Sequence, residues 1–310
     1  RVEIMNYSTE LENIVRLNFL EKITNDAAST LLRCCLDELI YNNMMSRNVN
    51  FRYKDLSSVF RNPNKIKYFK RLFQAGDHLI PDKIKNQKPI LHIATHNLLE
   101  YSKILFSTFR EKLFFIEVIR HPLYMIKQQT LNFDNLKKNK RKFFYIYLKK
   151  KNYEFGIDDP RIYNKFNLKM NAPSIDLAIY SMKLYFDFFL KLNDTKLKKN
   201  NVLVLPFEKF VISPFKYLNK IEKSLSTTKS KNTSKVLKRE NVPRNKFSDG
   251  INLDIYKKMG WVKPLKGFTE REELNSRLQW SKNRNLSTKS LKLLEKLSSD
   301  YEKRFMKNLI

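Results

Sequence analysis

Apolar positions along the chain fall into two kinds of run. Short continuous runs at Pro89–Ile93, Phe114–Ile119 and Val202–Leu205, with a shorter one at Val2–Met5, have the length of strands. Between them lie stripes of helical period. Thr9 to about Ile23 and Asn25–Asn42 read as helices, the second with Leu31, Leu32, Cys35, Leu36 and Leu39 on one face. Asn97–Phe109 reads as a helix, and Pro122 opens another, since proline suits a first helical turn. Ser174–Leu192, Pro214–Leu225 and about Ser287–Lys307 complete the helical pattern, and Thr269-x-x-Glu272 forms a capping box. Ser46–Lys88 is polar and irregular, with short helices near 65–74, and Ser226–Ser234 reads as a loop.

Apolar strands alternating with helices predict an α/β fold with a central parallel sheet flanked by helices. The expected organisation is a single domain over 1–310, with a basic, aromatic insertion at 137–171 turning at DDP (158–160) and a helical C-terminal region from 268. In such sheets ligands gather at the carboxyl ends of strands. Two of these ends carry residues suited to chemistry: THN at 95–97 and IRHP at 119–122.

Charge changes this picture only in part. The formal net charge is +30, which suits a polyanionic partner such as nucleic acid, a sulfated glycan or a membrane surface, or reflects a lysine-rich composition. Dense runs are few, KKNKRK at 137–142 being one. Cys34 and Cys35 are neighbours, which disfavours a disulfide between them. They read as part of a buried helix in a reducing, cytoplasmic setting, and the sequence offers no ligand set for a metal. No apolar run has the length of a membrane span.

An arginine at the junction of strand and helix, as in IRHP, offers a bidentate fork next to helix-start amides, which suits phosphate or a surface ion pair. His96, at the other strand end, is a general base or a hydrogen-bonded structural residue. Glu100, four residues later, either orients the imidazole or acts as the base itself, or is an acid favoured by the first turn of a helix.

Taken in order, strand–TH–helix, strand–RxP–helix, a long insertion and then VLVLPFEKFVISPFKYLNKIEKSL resemble the sulfotransferase family. That resemblance spans roughly 89–130 and 200–245 and implies a three-layer P-loop-like fold. It implies sulfuryl transfer from 3′-phosphoadenosine-5′-phosphosulfate (PAPS) to a hydroxyl or amine of an acceptor, which is a small molecule or a glycan. It places Arg120 on the donor's 3′-phosphate and His96 as base. Lys238, Arg239 and Arg244, in LKRENVPRNK, become candidates for the late basic loop over the same phosphate. No metal, nucleic acid or membrane span is implied.

The sequence departs from the family in three places. Gln128 stands where a serine often contacts the phosphate, and an amide can still donate there. Ala94 replaces a frequent lysine. The glycine-containing loop that cradles the phosphosulfate is not visible; NDAASTLL at 25–32 is the nearest look-alike but lacks both glycine and a base. An N-terminally truncated chain or a degenerate donor site would account for it. The competing readings are a P-loop kinase, for which GxxxxGK[ST] is not visible, and a non-catalytic polyanion or nucleic-acid binder resting on charge alone.

Overall fold

In the computed structural model the described residues are 1–138, 145–148, 151–154, 166, 168, 171–191, 201–248 and 267–307. The chain divides into two compact units, Arg1–Leu113 and Phe114–Ile310. Both are mixed α/β and mostly helical.

In the first unit, strand β1 (Val2–Tyr7) pairs in parallel with β2 (Ile90–Ala94), with Tyr7 opposite Ala94. Helices α1 (Thr9–Phe19) and α2 (Asn25–Met44) follow β1, and each start is capped by a hydroxyl, Ser8 or Thr24, accepting from a first-turn amide. Helix α2 contains the whole of NDAASTLL. Of the two cysteines only Cys35 is buried, because successive helical residues point about 100° apart and one of the pair must leave the core. Leu31 is likewise exposed, while Ala28, Leu32 and Met44 carry the core side of α2. Short helices α3 (Lys65–Arg71) and α4 (Ile80–Gln87) precede β2. Buried Glu3 anchors α3: it pairs with Arg71, and accepts from Lys67 at 2.6 Å and from the Tyr68 hydroxyl at 3.1 Å. The helix expected from Asn97 instead begins as α5 at Lys103 and runs to Phe109. Asn97 has φ 46°, a left-handed conformation that cannot open a right-handed helix, and a single 3-10 turn at Leu99–Tyr101 fills the gap.

In the second unit, β3 (Phe115–Ile119) pairs in parallel with β6 (Val202–Pro206). Burial along β3 alternates: Glu117 and Ile119 are buried while Ile116 and Val118 are exposed. This strand therefore buries one face, contrary to the expectation from its apolar run. Between these strands come α6 (Pro122–Lys138), an antiparallel pair of β4 (Tyr145–Leu148) and β5 (Lys151–Glu154), and α7 (Ser174–Lys191). After β6 come α8 (Phe207–Ile212), α9 (Pro214–Leu225), α10 (Lys231–Arg239), α11 (Glu270–Lys282) and α12 (Thr288–Phe305). The Ser/Thr/Lys stretch expected to be a loop thus contributes its second half to α10, capped reciprocally by Ser230 and Thr233. The expected box at Thr269 and Glu272 is present, each side chain meeting the other's backbone N–H.

The strands expected in one sheet pair two by two, β1 with β2 and β3 with β6. Most of the expected insertion at 137–171, including the DDP turn, and residues 249–266 lie outside the described residues. Among the described residues no helix is long and apolar enough to cross a membrane.

Candidate functional site

The parallel register of β3 and β6 sets Ile119 opposite Pro206, so Arg120 and Phe207 leave the sheet side by side at its carboxyl end. The Arg120 guanidinium lies over the Phe207 ring at 4.7 Å and over Tyr124, one turn into α6, at 5.2 Å. Two further arginines share these rings. Arg244 lies over Phe207 at 5.6 Å, and Arg277 of α11 lies over Tyr124 at 4.4 Å. Arg244 reaches Phe207 because its backbone N–H donates to Val211 O at 2.7 Å, drawing the segment after α10 onto α8.

The turn that carries Arg120 is held from behind. Glu208, itself buried, accepts from His121 N at 3.0 Å and from the Tyr301 hydroxyl at 2.6 Å. The His121 ring is fully buried; its Nδ1 accepts from Leu123 N at 3.1 Å, which assigns the ring proton to Nε2, facing Glu302 at 3.3 Å. Helix-start amides were expected to help hold an anion. Here Glu208 accepts from the His121 N–H and His121 Nδ1 from the Leu123 N–H, so these two are already engaged.

Arg120 itself has no hydrogen bond or ion pair among the described residues, and its buried Nε has no partner. Burial pulls its pKa below the usual arginine range, as do the charges of Arg277 and Arg244, while Glu208 opposes them. A buried guanidinium nitrogen without an acceptor is costly, and a tetrahedral oxyanion supplies the acceptors that rings do not. The cationic strip continues along α6 and α11. Lys127 lies over the Trp280 ring at 5.7 Å and Arg284 over the same ring at 4.8 Å. Burial and the nearby Arg277 and Arg284 hold Lys127 below the usual lysine range.

Of the expected phosphate ligands, Arg120 and Arg244 meet on the Phe207 ring. Gln128 is exposed on α6, one turn beyond Tyr124. Lys238 and Arg239 end α10, both exposed, and Arg239 pairs with Glu240 at 2.8 Å. Arg277, Tyr124, Phe207 and His121 were not singled out in the sequence. Tyr124 follows Arg120 by one helical turn, and that spacing was the available signal for it.

The first unit builds a separate arrangement at the end of β2. There the carboxylate of Glu12, in α1, accepts from both the backbone N and the Nδ1 of His96, at 2.8 and 3.0 Å. This acceptor puts the ring proton on Nδ1 and leaves Nε2 as the basic nitrogen. The imidazole is 57% exposed and stacks on Tyr7 with ring centres 6.0 Å apart, whereas the Glu12 side chain is 3% exposed. Arg16, one turn along α1, places Nη2 3.0 Å from the second Glu12 oxygen and donates to His96 O at 3.3 Å. Burial alone would raise the Glu12 carboxyl, but the His96 hydrogen bond and the Arg16 charge hold it below the usual carboxylate range. Glu100 lies in the 3-10 turn, so its helical i,i+4 relation to His96 is lost, and the acid behind the imidazole is Glu12.

Among the described residues no group of three or more His, Cys, Asp or Glu side chains is placed to hold a metal ion. No protein-family model, curated protein or solved structure significantly matches the chain.

Proposed function

We propose that the chain is a PAPS-dependent sulfotransferase with a P-loop-like fold, in which Arg120 binds the donor's 3′-phosphate and His96 is the general base. The observation that carries this reading is Arg120: a half-buried guanidinium at a strand end whose buried Nε has no partner, joined by Arg244 and Arg277 on two shared rings. In the proposed reaction an acceptor hydroxyl or amine attacks the sulfur as His96 Nε2 takes its proton. The bond from sulfur to the phosphate oxygen breaks, and a sulfate ester or sulfamate leaves with 3′,5′-adenosine bisphosphate. Glu12 orients the imidazole and stabilises the imidazolium it becomes. Lys127, Trp280 and Arg284 extend the cationic surface and suit an acidic acceptor such as a glycan. No described residue is assigned to the 5′-phosphosulfate, since NDAASTLL is helical.

A thermal-shift titration of the full chain with 3′,5′-adenosine bisphosphate tests the donor assignment. Stabilisation is expected in the wild type and not in Arg120→Ala; no shift in either overturns it. His96→Ala should keep the shift and lose transfer.

A further inference from the structure

The first unit carries a second surface that the sulfotransferase reading does not use. Between Phe51 and Leu79 eight large apolar side chains are exposed: Phe51, Tyr53, Leu56, Phe60, Ile66, Leu72, Phe73 and Leu79. Phe73 is 89% exposed, Tyr53 75% and Ile66 65%. Three of them, Phe51, Phe60 and Tyr53, are linked through one ring. Phe69 packs on the buried cluster of Ile4, Val49, Val59 and Tyr68, and its outer side meets Phe51 at 5.5 Å and Phe60 at 5.7 Å. Phe60 in turn meets Tyr53 at 5.5 Å. Ile66 and Phe73 precede and follow Phe69 by three and four residues along α3 and the turn that extends it, where Leu72 N and Phe73 N still bond backward to Phe69 O and Lys70 O. That spacing puts Ile66, Phe69 and Phe73 on one stripe.

Cations border this apolar surface. Exposed Lys54, Lys65 and Lys70 have no acid partner among the described residues, and exposed Arg52 meets Asp55 only at 3.5 Å. The segment's other acid, Asp77, is paired with Arg47. Aromatic rings set among unpaired lysines match the interface of an anionic bilayer: rings and aliphatic side chains enter the boundary between headgroups and acyl chains, and the ammonium groups remain among the headgroup anions. A second copy of this chain is a poor occupant, since the same lysines would face one another across the contact.

We propose that the Phe51–Leu79 surface docks the protein on anionic lipid membranes, without spanning them. The test is co-sedimentation of the full chain with phosphatidylcholine vesicles containing about 30% phosphatidylserine, beside vesicles of phosphatidylcholine alone. Binding to the anionic vesicles only, weakened in high salt, is expected. Ile66→Asp/Phe73→Asp should lower the bound fraction about tenfold while circular dichroism shows an unchanged fold, because both side chains are already in water. Equal binding by the double variant, equal binding to neutral vesicles, or binding to a single-stranded RNA oligonucleotide in place of vesicles overturns the proposal. Self-association abolished by the same substitutions overturns it also. Arg120→Ala should leave vesicle binding unchanged, which separates a failure here from a failure of the donor assignment.

Discussion

The two strand ends resolve charge in opposite ways. Behind His96 the buried carboxylate of Glu12 has its partners in place: Nδ1, a backbone N–H and Arg16. At the end of β3 Arg120 rests on ring faces, while the carboxylates around it are engaged elsewhere: Glu208 with His121 and Tyr301, Glu273 with Arg277, and Glu270 with the Tyr124 hydroxyl. The first arrangement is built to hold a proton acceptor in orientation. The second, on the proposed reading, lowers its free energy when an anion arrives. A buried charge that is paired marks a positioning device, and one that is unpaired marks a binding site.

Substitutions that exchange these two conditions should break the contrast. The largest effect is expected for Glu208→Ala, which strands the His121 N–H, takes the shorter of the Tyr301 hydroxyl's two acceptors and removes a negative charge that acts on Arg120. A loss of about 4 kcal/mol in urea unfolding is expected; a loss under about 1 kcal/mol would show that the turn is held by other means. Glu12→Gln should cost about 3 kcal/mol at neutral pH by leaving buried Arg16 without its carboxylate. Because the folded-state pKa of Glu12 is depressed, the wild-type advantage is present above the ordinary carboxylate value and fades as pH falls through the folded one.

Glu117 sharpens the same comparison, being a buried carboxylate that among the described residues has no cation and is held by the Tyr185 hydroxyl at 2.7 Å. Burial raises its pKa from 4.5 to about 7. The folded chain keeps this proton to about pH 7, whereas the unfolded chain loses it near 4.5, so stability falls across that window as pH rises. Glu117→Gln should therefore stabilise the protein by about 3 kcal/mol at pH 8 and change little at pH 4. A Tm difference independent of pH would contradict this. The smallest effect is expected for Arg277→Ala, about a tenfold loss of affinity for 3′,5′-adenosine bisphosphate by calorimetry, since Glu273 already pairs with that guanidinium.

Elements with strong local signals were legible in the sequence: Pro214–Leu225 matches its expected bounds, and Thr269 and Glu272 form the expected box. What local pattern could not carry was the contribution of distant residues. Glu12 and Arg16 announce themselves only as an i,i+4 pair on a helix, and the parallel register that places Phe207 beside Arg120 joins positions 87 residues apart by way of β6. The helix expected after His96 failed on a single backbone conformation at Asn97, which composition does not reveal. The alternation in β3 was hidden because the residues on its exposed face, Ile116 and Val118, are as apolar as a core. Arg120 and His96 stand out in the sequence by type and position, whereas Arg277 does not, because α11 reaches Tyr124 only through tertiary packing.

The central claim is that Arg120, with Arg244 and Arg277, recognises a 3′-phosphate. Isothermal titration of the full chain with 3′,5′-adenosine bisphosphate and with 5′-adenosine monophosphate measures it most directly. A preference of at least about a hundredfold for the bisphosphate is predicted, falling to within about threefold in Arg120→Ala. Equal affinity for the two nucleotides in the wild type, or a preference unchanged by Arg120→Ala, would contradict it.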